Sequence, residues 1–264
     1  MAGESDIPPT WGTQLARAER ILGESGSLAP RQDAIELLSY ALGVPAPVLR
    51  ARPASSMTLA GARMYDGLVA RRATGEALPH ITGHLEFMGL DITVEQWSPL
   101  APPGAQRLVA TALQWARRRA PGELAVAEIG TGCGAIALAL AALEPRFTCI
   151  YAAEPSPQAL EAARANGARY LLNLVISWLQ GEDLDVVPEP VDLIVCGHPD
   201  WADLKQAAAK LRPGGALICV VDDAERPVTD DLPAHGFSLP VWVEDQDDEP
   251  AIAVAQLSHD QEGS

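Results

Sequence analysis

The chain has 264 residues, of which 48% are hydrophobic and 20% charged, so it can bury a substantial core and is not disordered overall. Its apolar runs are shorter than the ~20 residues of a membrane-spanning helix, and residues 1–10 lack the basic-then-apolar pattern of a secretory signal. A formal net charge of −16 disfavours nucleic-acid binding, which depends on Lys and Arg side chains that neutralise phosphates. We therefore expect a cytoplasmic protein that binds neither membranes nor nucleic acid.

The N-terminal part of the chain has the periodicity of amphipathic helices. Apolar residues recur on one face of the segments 15–22, 31–42 and 59–72. Gly43 ends the second of these segments, and we expect Pro45 and Pro47 to prevent that helix from resuming. The arginine pair at 71–72 is expected to be solvated at a helix end. The pattern predicts an all-helical domain over residues 1–75.

From residue 124 onward, short apolar strands alternate with helical segments. Strands are predicted over 125–129, 148–152, 174–179, 191–195 and 216–221, the last of them after a turn at 213–215. The helices between them are predicted over 135–143, 157–167 and 203–211. Strands joined by helical crossovers form parallel βαβ units, so this part of the chain is predicted to be an α/β domain with a Rossmann-like, doubly wound sheet.

The C-terminal part of the chain lacks the alternation of strands and helices. Two further strands, over 238–243 and 251–257, are joined by an acidic stretch without a helix, which predicts an antiparallel hairpin at one edge of the sheet. We assign residues 111–258 to the α/β domain. A linker with a β-hairpin is expected before it, over 76–110, and a disordered tail after it, over 259–264.

The segment Glu128-Ile-Gly-Thr-Gly-Cys-Gly134 follows a predicted strand and opens a helix, as nucleotide-binding loops do. Glycines there permit positive φ angles and let a ligand approach the backbone closely. Gly130, Gly132 and Gly134 are spaced more tightly than the G-x-G-x-x-G of dinucleotide sites, which favours a ligand without phosphates, such as an adenosyl amino acid. A plain strand-to-helix turn is the structural alternative.

Acidic residues follow the next two predicted strands. Glu154 ends the second strand, where a carboxylate can accept hydrogen bonds from both hydroxyls of a ribose. Glu182 and Asp183 follow the third strand, where an adenine amino group would lie, although this pair also fits an ordinary polar loop.

Cysteines and histidines give no metal signature. The four cysteines form no C-x-x-C pair and are expected to be free thiols. His80 and His84 lie four residues apart, but in a segment predicted as strand and turn, so they share no helical face and no metal site is predicted.

Together these features resemble the class I S-adenosylmethionine-dependent methyltransferases. Two stretches, Ala77-Leu-Pro-His-Ile81 and Gly83-His-Leu-Glu-Phe87, are similar to the linker of the release-factor glutamine N5-methyltransferases, the HemK/PrmC family. Residues 32–43 also resemble that family's D-A-x-x-L-L-x-x-x-x-G helix. The resemblance covers about residues 13–222 of the 264.

The resemblance implies S-adenosylmethionine as cofactor and a release-factor-like protein as methyl acceptor, with a small molecule as the alternative acceptor. The cofactor-binding residues that it implies are Glu128, Gly130, Thr131, Gly132, Gly134, Glu154, Glu182 and Asp183.

The chain departs from the family at the acceptor side. The family's Asn-Pro-Pro-Tyr motif, whose Asn side chain and following carbonyl orient the glutamine amide, is replaced by Gly197, His198, Pro199, Asp200 and Trp201. The family's I-P-R-P-D-T-E motif reads Leu-Ala-Pro-Pro-Gly-Ala-Gln at 100–106, without the Arg, Asp and Glu. These changes predict a methyltransferase that retains donor binding and has an altered acceptor site in the 197–201 loop.

Two other functions stay open. The lost motif residues also fit a catalytically inactive methyltransferase fold that serves as a binding or regulatory protein. A nicotinamide oxidoreductase is a weaker alternative, because the glycine loop lacks the dinucleotide spacing.

Overall fold

The computed structural model describes residues 9–197, 204–243 and 250–258. Contacts divide the chain into two compact units, one up to His84 and one from Leu85 onward. The domain limits that we place at residues 75, 110 and 258 stay predictions. In the described part of the chain, no helix is both long and apolar enough to cross a membrane.

The first unit is built from helices. These are α1 (Trp11–Glu24), α2 (Pro30–Leu42), α3 (Ala46–Ala51), α4 (Leu59–Ala73) and α5 (Leu78–Thr82). Its core contains the fully buried side chains of Leu22, Leu37, Leu38, Leu49 and Tyr65. The Tyr65 hydroxyl donates a hydrogen bond to the carbonyl oxygen of Ala34 at 2.9 Å, which joins α4 to α2.

The helical pattern resumes after Gly43, so the prediction for the two prolines is wrong. Gly43 does end α2, in the left-handed conformation with φ 63°. Pro45, however, occupies the cap position of α3, and Pro47 lies in its first turn. The N–H groups of a first turn have no acceptor within the helix, so the missing N–H of proline removes no bond there.

Arg72 is only partly solvated, with its side chain 23% exposed, which corrects the prediction for the pair at 71–72. Its Nε donates to Asp33 Oδ2 at 2.7 Å, and its Nη1 donates to the carbonyl oxygen of Glu76 at 3.0 Å. The Ser27 hydroxyl donates to the same Asp33 oxygen at 2.8 Å, and Asp33 is only 7% exposed. This ion pair fastens α4 to α2. Arg71 is half-exposed and pairs with Glu76.

The second unit begins with a hairpin and continues as an α/β domain. Its strands are β1 (His84–Phe87), β2 (Leu90–Thr93), β3 (Leu124–Ile129), β4 (Phe147–Glu154), β5 (Ile176–Gln180), β6 (Val191–Cys196), β7 (Leu211–Val221), β8 (Val241–Val243) and β9 (Ala251–Gln256). Its α-helices are α6 (Ala105–Arg117), α7 (Ala135–Leu143), α8 (Pro157–Arg169) and α9 (Leu204–Lys210).

The sheet has the order β5-β4-β3-β6-β7-β9-β8. Strands β3 to β7 pair in parallel, while β9 runs antiparallel to β7 and to β8. Apolar side chains pack against both faces of this sheet. The doubly wound sheet with a terminal antiparallel hairpin is therefore confirmed.

The turn predicted at 213–215 lies inside β7, which begins at Leu211. The pairing with β6 shifts there, from Val191 opposite Leu211 to Leu193 opposite Ala216. A Cβ atom on Gly215 would lie 2.9 Å from the carbonyl oxygen of Asp192, so this irregularity requires glycine. The chain bulges within the strand instead of turning ahead of it.

Strand order reverses at β3, which lies between β4 and β6. Open parallel sheets bind ligands at the carboxyl ends of the strands at such a reversal. Ile129 and Cys196, the last residues of β3 and β6, are register partners. The loops that follow them therefore start side by side.

We expect Arg72→Leu to lower the free energy of unfolding by about 3 kcal/mol, because it leaves the Asp33 carboxylate buried without its cationic partner. Arg17→Leu is the matched control, since Arg17 and Asp66 form an ion pair whose side chains are 45% and 43% exposed. The control should lose less than about 1 kcal/mol. Urea unfolding followed by far-ultraviolet circular dichroism measures both. Equal losses in the two variants would contradict a structural role for the buried pair.

Candidate active site

The glycine loop, residues 130–134, connects β3 to α7. Its three glycines are left-handed, with φ angles of 74° at Gly130, 54° at Gly132 and 86° at Gly134. The N–H groups of Gly130 and Thr131 both donate to the carbonyl oxygen of Ala153 in β4, at 2.9 and 3.0 Å. The loop is therefore held against the end of the neighbouring strand.

The three glycines meet different surroundings. A Cβ atom on Gly132 would lie 2.8 Å from the carbonyl oxygen of Pro99, and one on Gly134 would lie 3.0 Å from the Trp178 ring. A Cβ atom on Gly130 would have no neighbour within 4 Å. Packing thus excludes a side chain at 132 and disfavours one at 134, while Gly130 borders open space.

Glu154 is fixed at the carboxyl end of β4. It is 4% exposed, and its two carboxylate oxygens accept hydrogen bonds from the N–H groups of Gly132 at 2.9 Å and Ser156 at 3.0 Å. Each oxygen of a carboxylate has a second lone pair, so both can accept a further bond. The geometry suits a pair of ligand hydroxyls.

Glu128 has an unused acceptor in a buried position. The residue is 1% exposed, and its Oε2 accepts a hydrogen bond from the Thr131 hydroxyl at 2.8 Å. Its Oε1 has no hydrogen-bond partner among the described residues. Burial raises the pKa of the Glu128 carboxyl to about 8. The Thr131 bond and the backbone N–H of Ala137 oppose that shift, and the nearby charge of Glu154 adds to it. A buried oxygen without a partner fits a ligand that brings an N–H donor.

The predicted adenine pair is less specific. Asp183 accepts a hydrogen bond from the N–H of Asp185 at 2.9 Å and so caps the short 3-10 helix Leu184–Val186. Glu182 is exposed. Their role at an adenine stays a prediction.

Only the first residue of the predicted acceptor loop is described. Gly197 is buried at the end of β6, whereas His198, Pro199, Asp200 and Trp201 lie outside the described residues. A Cβ atom on Gly197 would lie 2.9 Å from Cγ and 3.2 Å from Cδ of Pro102. The two altered motifs therefore touch each other, and the Pro102 ring fills the space that a side chain at 197 would need.

The proline segment, residues 97–104, overlaps the altered motif at 100–106, but its contact with the glycine loop was not predicted from the sequence. Pro99 contacts the glycine loop, where its carbonyl oxygen accepts a hydrogen bond from the N–H of Cys133 at 3.3 Å. Pro102 contacts Gly197. The segment thus spans the loops after β3 and β6. The available signal was the altered motif at 100–106 together with the three prolines within residues 99–104.

The cysteines and histidines were also assigned roles from the sequence. All four cysteines are free thiols, and three of them are buried. The described residues contain no group of three or more potential metal ligands. His80 lies in α5, so the prediction of strand and turn at this residue is wrong, and His84 begins β1.

The sheet, the glycine loop and the two fixed carboxylates define a class I methyltransferase. Residues 126–215 match the family model described as "Methyltransferase domain", and residues 13–83 match the one described as "PrmC N-terminal domain". The solved structure of a ribosomal protein L11 methylase from Lactobacillus delbrueckii subsp. bulgaricus has a TM-score of 0.52 and 20% identity, and covers 63% of this chain and 85% of its own. It supports the fold.

Curated relatives identify the family. Release factor glutamine methyltransferase of Moorella thermoacetica is 33% identical over an alignment that covers 83% of this chain and 87% of that protein. The Bordetella pertussis protein of the same name is 31% identical, with 86% of each chain covered. The chain belongs to the release factor glutamine methyltransferase (HemK/PrmC) family, and its cofactor is S-adenosylmethionine.

We expect the stability of the ligand-free protein to depend on pH through Glu128. Below the ordinary carboxyl pKa of 4.5, Glu128 holds its proton in both the folded and the unfolded chain. As the pH rises towards about 8, the unfolded chain releases that proton and the folded chain keeps it, so stability is lost. Glu128→Gln removes this loss and should raise the free energy of unfolding at about pH 8 by roughly 1–4 kcal/mol.

Urea unfolding of parent and variant at about pH 5 and about pH 8 measures the effect, and the gap between them should widen with pH. Glu123→Gln, at an exposed residue, is the control for loss of one negative charge. A constant gap between parent and Glu128→Gln would contradict the raised pKa.

Proposed function

We propose that this chain transfers the methyl group of S-adenosylmethionine to a nitrogen of a protein acceptor, through an acceptor site that differs from that of its relatives at residues 197–201. The observations that support the proposal come from the residues of the donor site. Gly130 borders open space, Glu128 has an unpaired buried oxygen, and Glu154 is held with free lone pairs at one edge of the sheet. A protein acceptor is supported by the relatives, which are named for their action on release factors.

Each donor residue has a proposed part. Glu128 Oε1 accepts a hydrogen bond from the ammonium of the donor's methionine end, which lies along the glycine loop. Glu154 binds the ribose hydroxyls, and Glu182 or Asp183 the adenine amino group. The donor supplies a methyl group on a positively charged sulfur, so the protein's main task is to hold the acceptor nitrogen in line with it.

The acceptor side lacks one hydrogen-bond acceptor. The family's Asn side chain accepts from the amide nitrogen of the substrate glutamine, and Gly197 has no side chain to do so. Loss of such a bond costs about 1–3 kcal/mol, or about 10- to 100-fold in rate. His198, the next residue, carries a ring nitrogen that can accept a hydrogen bond in its place.

The contact between Gly197 and Pro102 supports a coordinated change of the site. Asparagine at 197 would collide with the Pro102 ring, which stands where the family has arginine. A proline ring cannot swing aside as a flexible side chain can. The departures in the two motifs therefore fit one another, which favours a remodelled acceptor site over independent decay of two motifs.

The competing proposal is an inactive member that binds the donor and a partner without turnover. The same loss of the Asn side chain supports it. Methyl transfer, and not donor binding, distinguishes the two.

The glycine loop predicts how donor binding responds to substitution. We expect Gly132→Ala to weaken S-adenosylmethionine binding at least about tenfold, because its Cβ would displace the Pro99 carbonyl from the loop. Gly43→Ala is the control, since Gly43 has a similar φ of 63° and open space around it, far along the chain. It should lose about 1 kcal/mol of stability and leave donor affinity unchanged.

Isothermal titration calorimetry with S-adenosylmethionine, S-adenosylhomocysteine and NAD measures these affinities. Parent binding to the adenosyl ligands alone is the expected result. Binding to NAD alone would favour the oxidoreductase alternative, and an unaffected Gly132→Ala would contradict the assignment of the loop.

The acceptor site is tested by transfer of a radiolabelled methyl group to a purified release factor. We expect the parent to react about 10- to 100-fold more slowly than a relative with the intact motif. Gly197→Asn alone should not improve transfer, whereas Gly197→Asn together with Pro102→Arg and the remaining changes to Asn-Pro-Pro-Tyr should. Improvement by Gly197→Asn alone would contradict the coupling to Pro102.

Other outcomes separate the proposals. A parent that methylates the release factor as fast as the relative would overturn the altered acceptor site. A parent that binds the donor but labels neither the release factor nor any protein of a cell extract would favour the inactive member.

A further inference from the structure

Asn166 lies in α8 and is 1% exposed. Its Oδ1 accepts a hydrogen bond from the N–H of Thr93 at 2.9 Å, and its Nδ2 donates to the carbonyl oxygen of Thr93 at 2.9 Å. The same Nδ2 donates to the carbonyl oxygen of Cys133 at 3.1 Å. One buried amide therefore joins the end of β2 to the middle of the glycine loop.

The peptide groups of Cys133 are held from two sides. Its N–H donates to the carbonyl oxygen of Pro99 in the proline segment at 3.3 Å, and its carbonyl oxygen accepts from Asn166. Residues 93–99 connect the two holding points, because Asn166 also binds Thr93 at the start of this stretch. The chain from Thr93 to Pro99 and the hydrogen bonds among Pro99, Cys133, Asn166 and Thr93 together form a closed ring.

This ring sets two parts of the site at once. The N–H of Gly132, the residue before Cys133, donates to Glu154 at 2.9 Å. A shift of the Cys133 peptide would therefore also move the N–H group that holds Glu154, the proposed ribose carboxylate. On the other side, the proline segment continues from Pro99 to Pro102, which contacts Gly197. A shift of Asn166 would move the glycine loop and the proline segment together.

We infer that Asn166 is a positioning residue for methyl transfer, which holds the glycine loop in its donor-binding shape. Only an uncharged amide can accept from the Thr93 N–H and donate to two carbonyl oxygens from one place. The inference rests on the proposed donor site, and it adds a residue that touches neither donor nor acceptor.

The test compares Asn166→Asp with Tyr170→Phe. Asn166→Asp keeps the shape and the acceptor to Thr93 but replaces the donor by a carboxylate oxygen that faces two carbonyls. Tyr170→Phe is matched, because Tyr170 caps the C-terminus of the same helix and its hydroxyl bonds the N–H and carbonyl of Asp91 in the same strand, at 2.8 and 3.0 Å, without reaching the glycine loop. Both variants loosen β2 from α8, and only Asn166→Asp releases Cys133.

Titration calorimetry with S-adenosylhomocysteine, well below the unfolding temperature of each protein, is the main measurement. We expect Asn166→Asp to bind at least about tenfold more weakly than the parent, and Tyr170→Phe to bind within about twofold of it. Equal weakening in both variants, or parent-like binding by Asn166→Asp, would overturn the inference. A parent that binds no adenosyl ligand would instead overturn the proposed donor site.

A measurement on the parent covers the case in which Asn166→Asp does not fold. In nuclear magnetic resonance spectra, the side-chain amide protons of Asn166 should exchange slowly with water and change frequency when S-adenosylhomocysteine is added. The side-chain amide of Asn173, which bonds Trp178 and the backbone of Arg164, is the internal reference and should change less. Fast exchange or an unchanged frequency at Asn166 would overturn the inference.

Discussion

The close approach of the proline segment to the glycine loop is the constraint on which the site depends. The carbonyl oxygen of Pro99 lies so near the α-carbon of Gly132 that no side chain fits between them, and it also accepts the N–H of Cys133. This contact lets the segment between the hairpin and α6 cross the carboxyl edge of the sheet. Strand order puts the ends of β3 and β6 beneath the crossing, so a single stretch of chain reaches both the glycine loop and Gly197.

The proline segment also couples residue 102 to residue 197 through space. Pro102 occupies the space beside Gly197, so a side chain at 197 requires a shift or a change at 102. The proposed change of the acceptor site is consistent with this coupling, because a rigid proline ring stands beside a position without a side chain. Packing alone favours glycine at 132 and 134, because a Cβ atom there would meet Pro99 or Trp178.

Most of the fold was predictable from local patterns. Alternating apolar strands and helices identified the parallel sheet, and the acidic stretch without helical periodicity between the last two predicted strands identified the terminal hairpin. Errors arose where a local rule meets an exception. Proline is tolerated in the first turn of α3, and Gly214 and Gly215 form a bulge inside β7 where a turn was predicted.

The site was predictable in outline only. The glycine loop and Glu154 were located because their spacing follows the strands. The unpaired oxygen of Glu128, the buried pairing of Arg72 and the bonds of Asn166 depend on burial and on contacts between residues 33 to 73 positions apart, which no local pattern contains. Tertiary packing decides which polar side chains lose water, and that loss creates their chemistry.

Because Glu128 is protonated, donor binding at the proposed site would exchange a proton for the ammonium group of the donor. At neutral pH the buried carboxyl carries a proton, since its pKa is about 8. An ammonium group beside Oε1 would favour the ionised form of Glu128. The proton would then leave as the ammonium binds, and the net charge of the site would stay constant. The heat of donor binding then includes the heat of protonating the buffer. A chain with a net charge of −16 thereby accepts a positively charged donor without adding an unpaired charge to its interior.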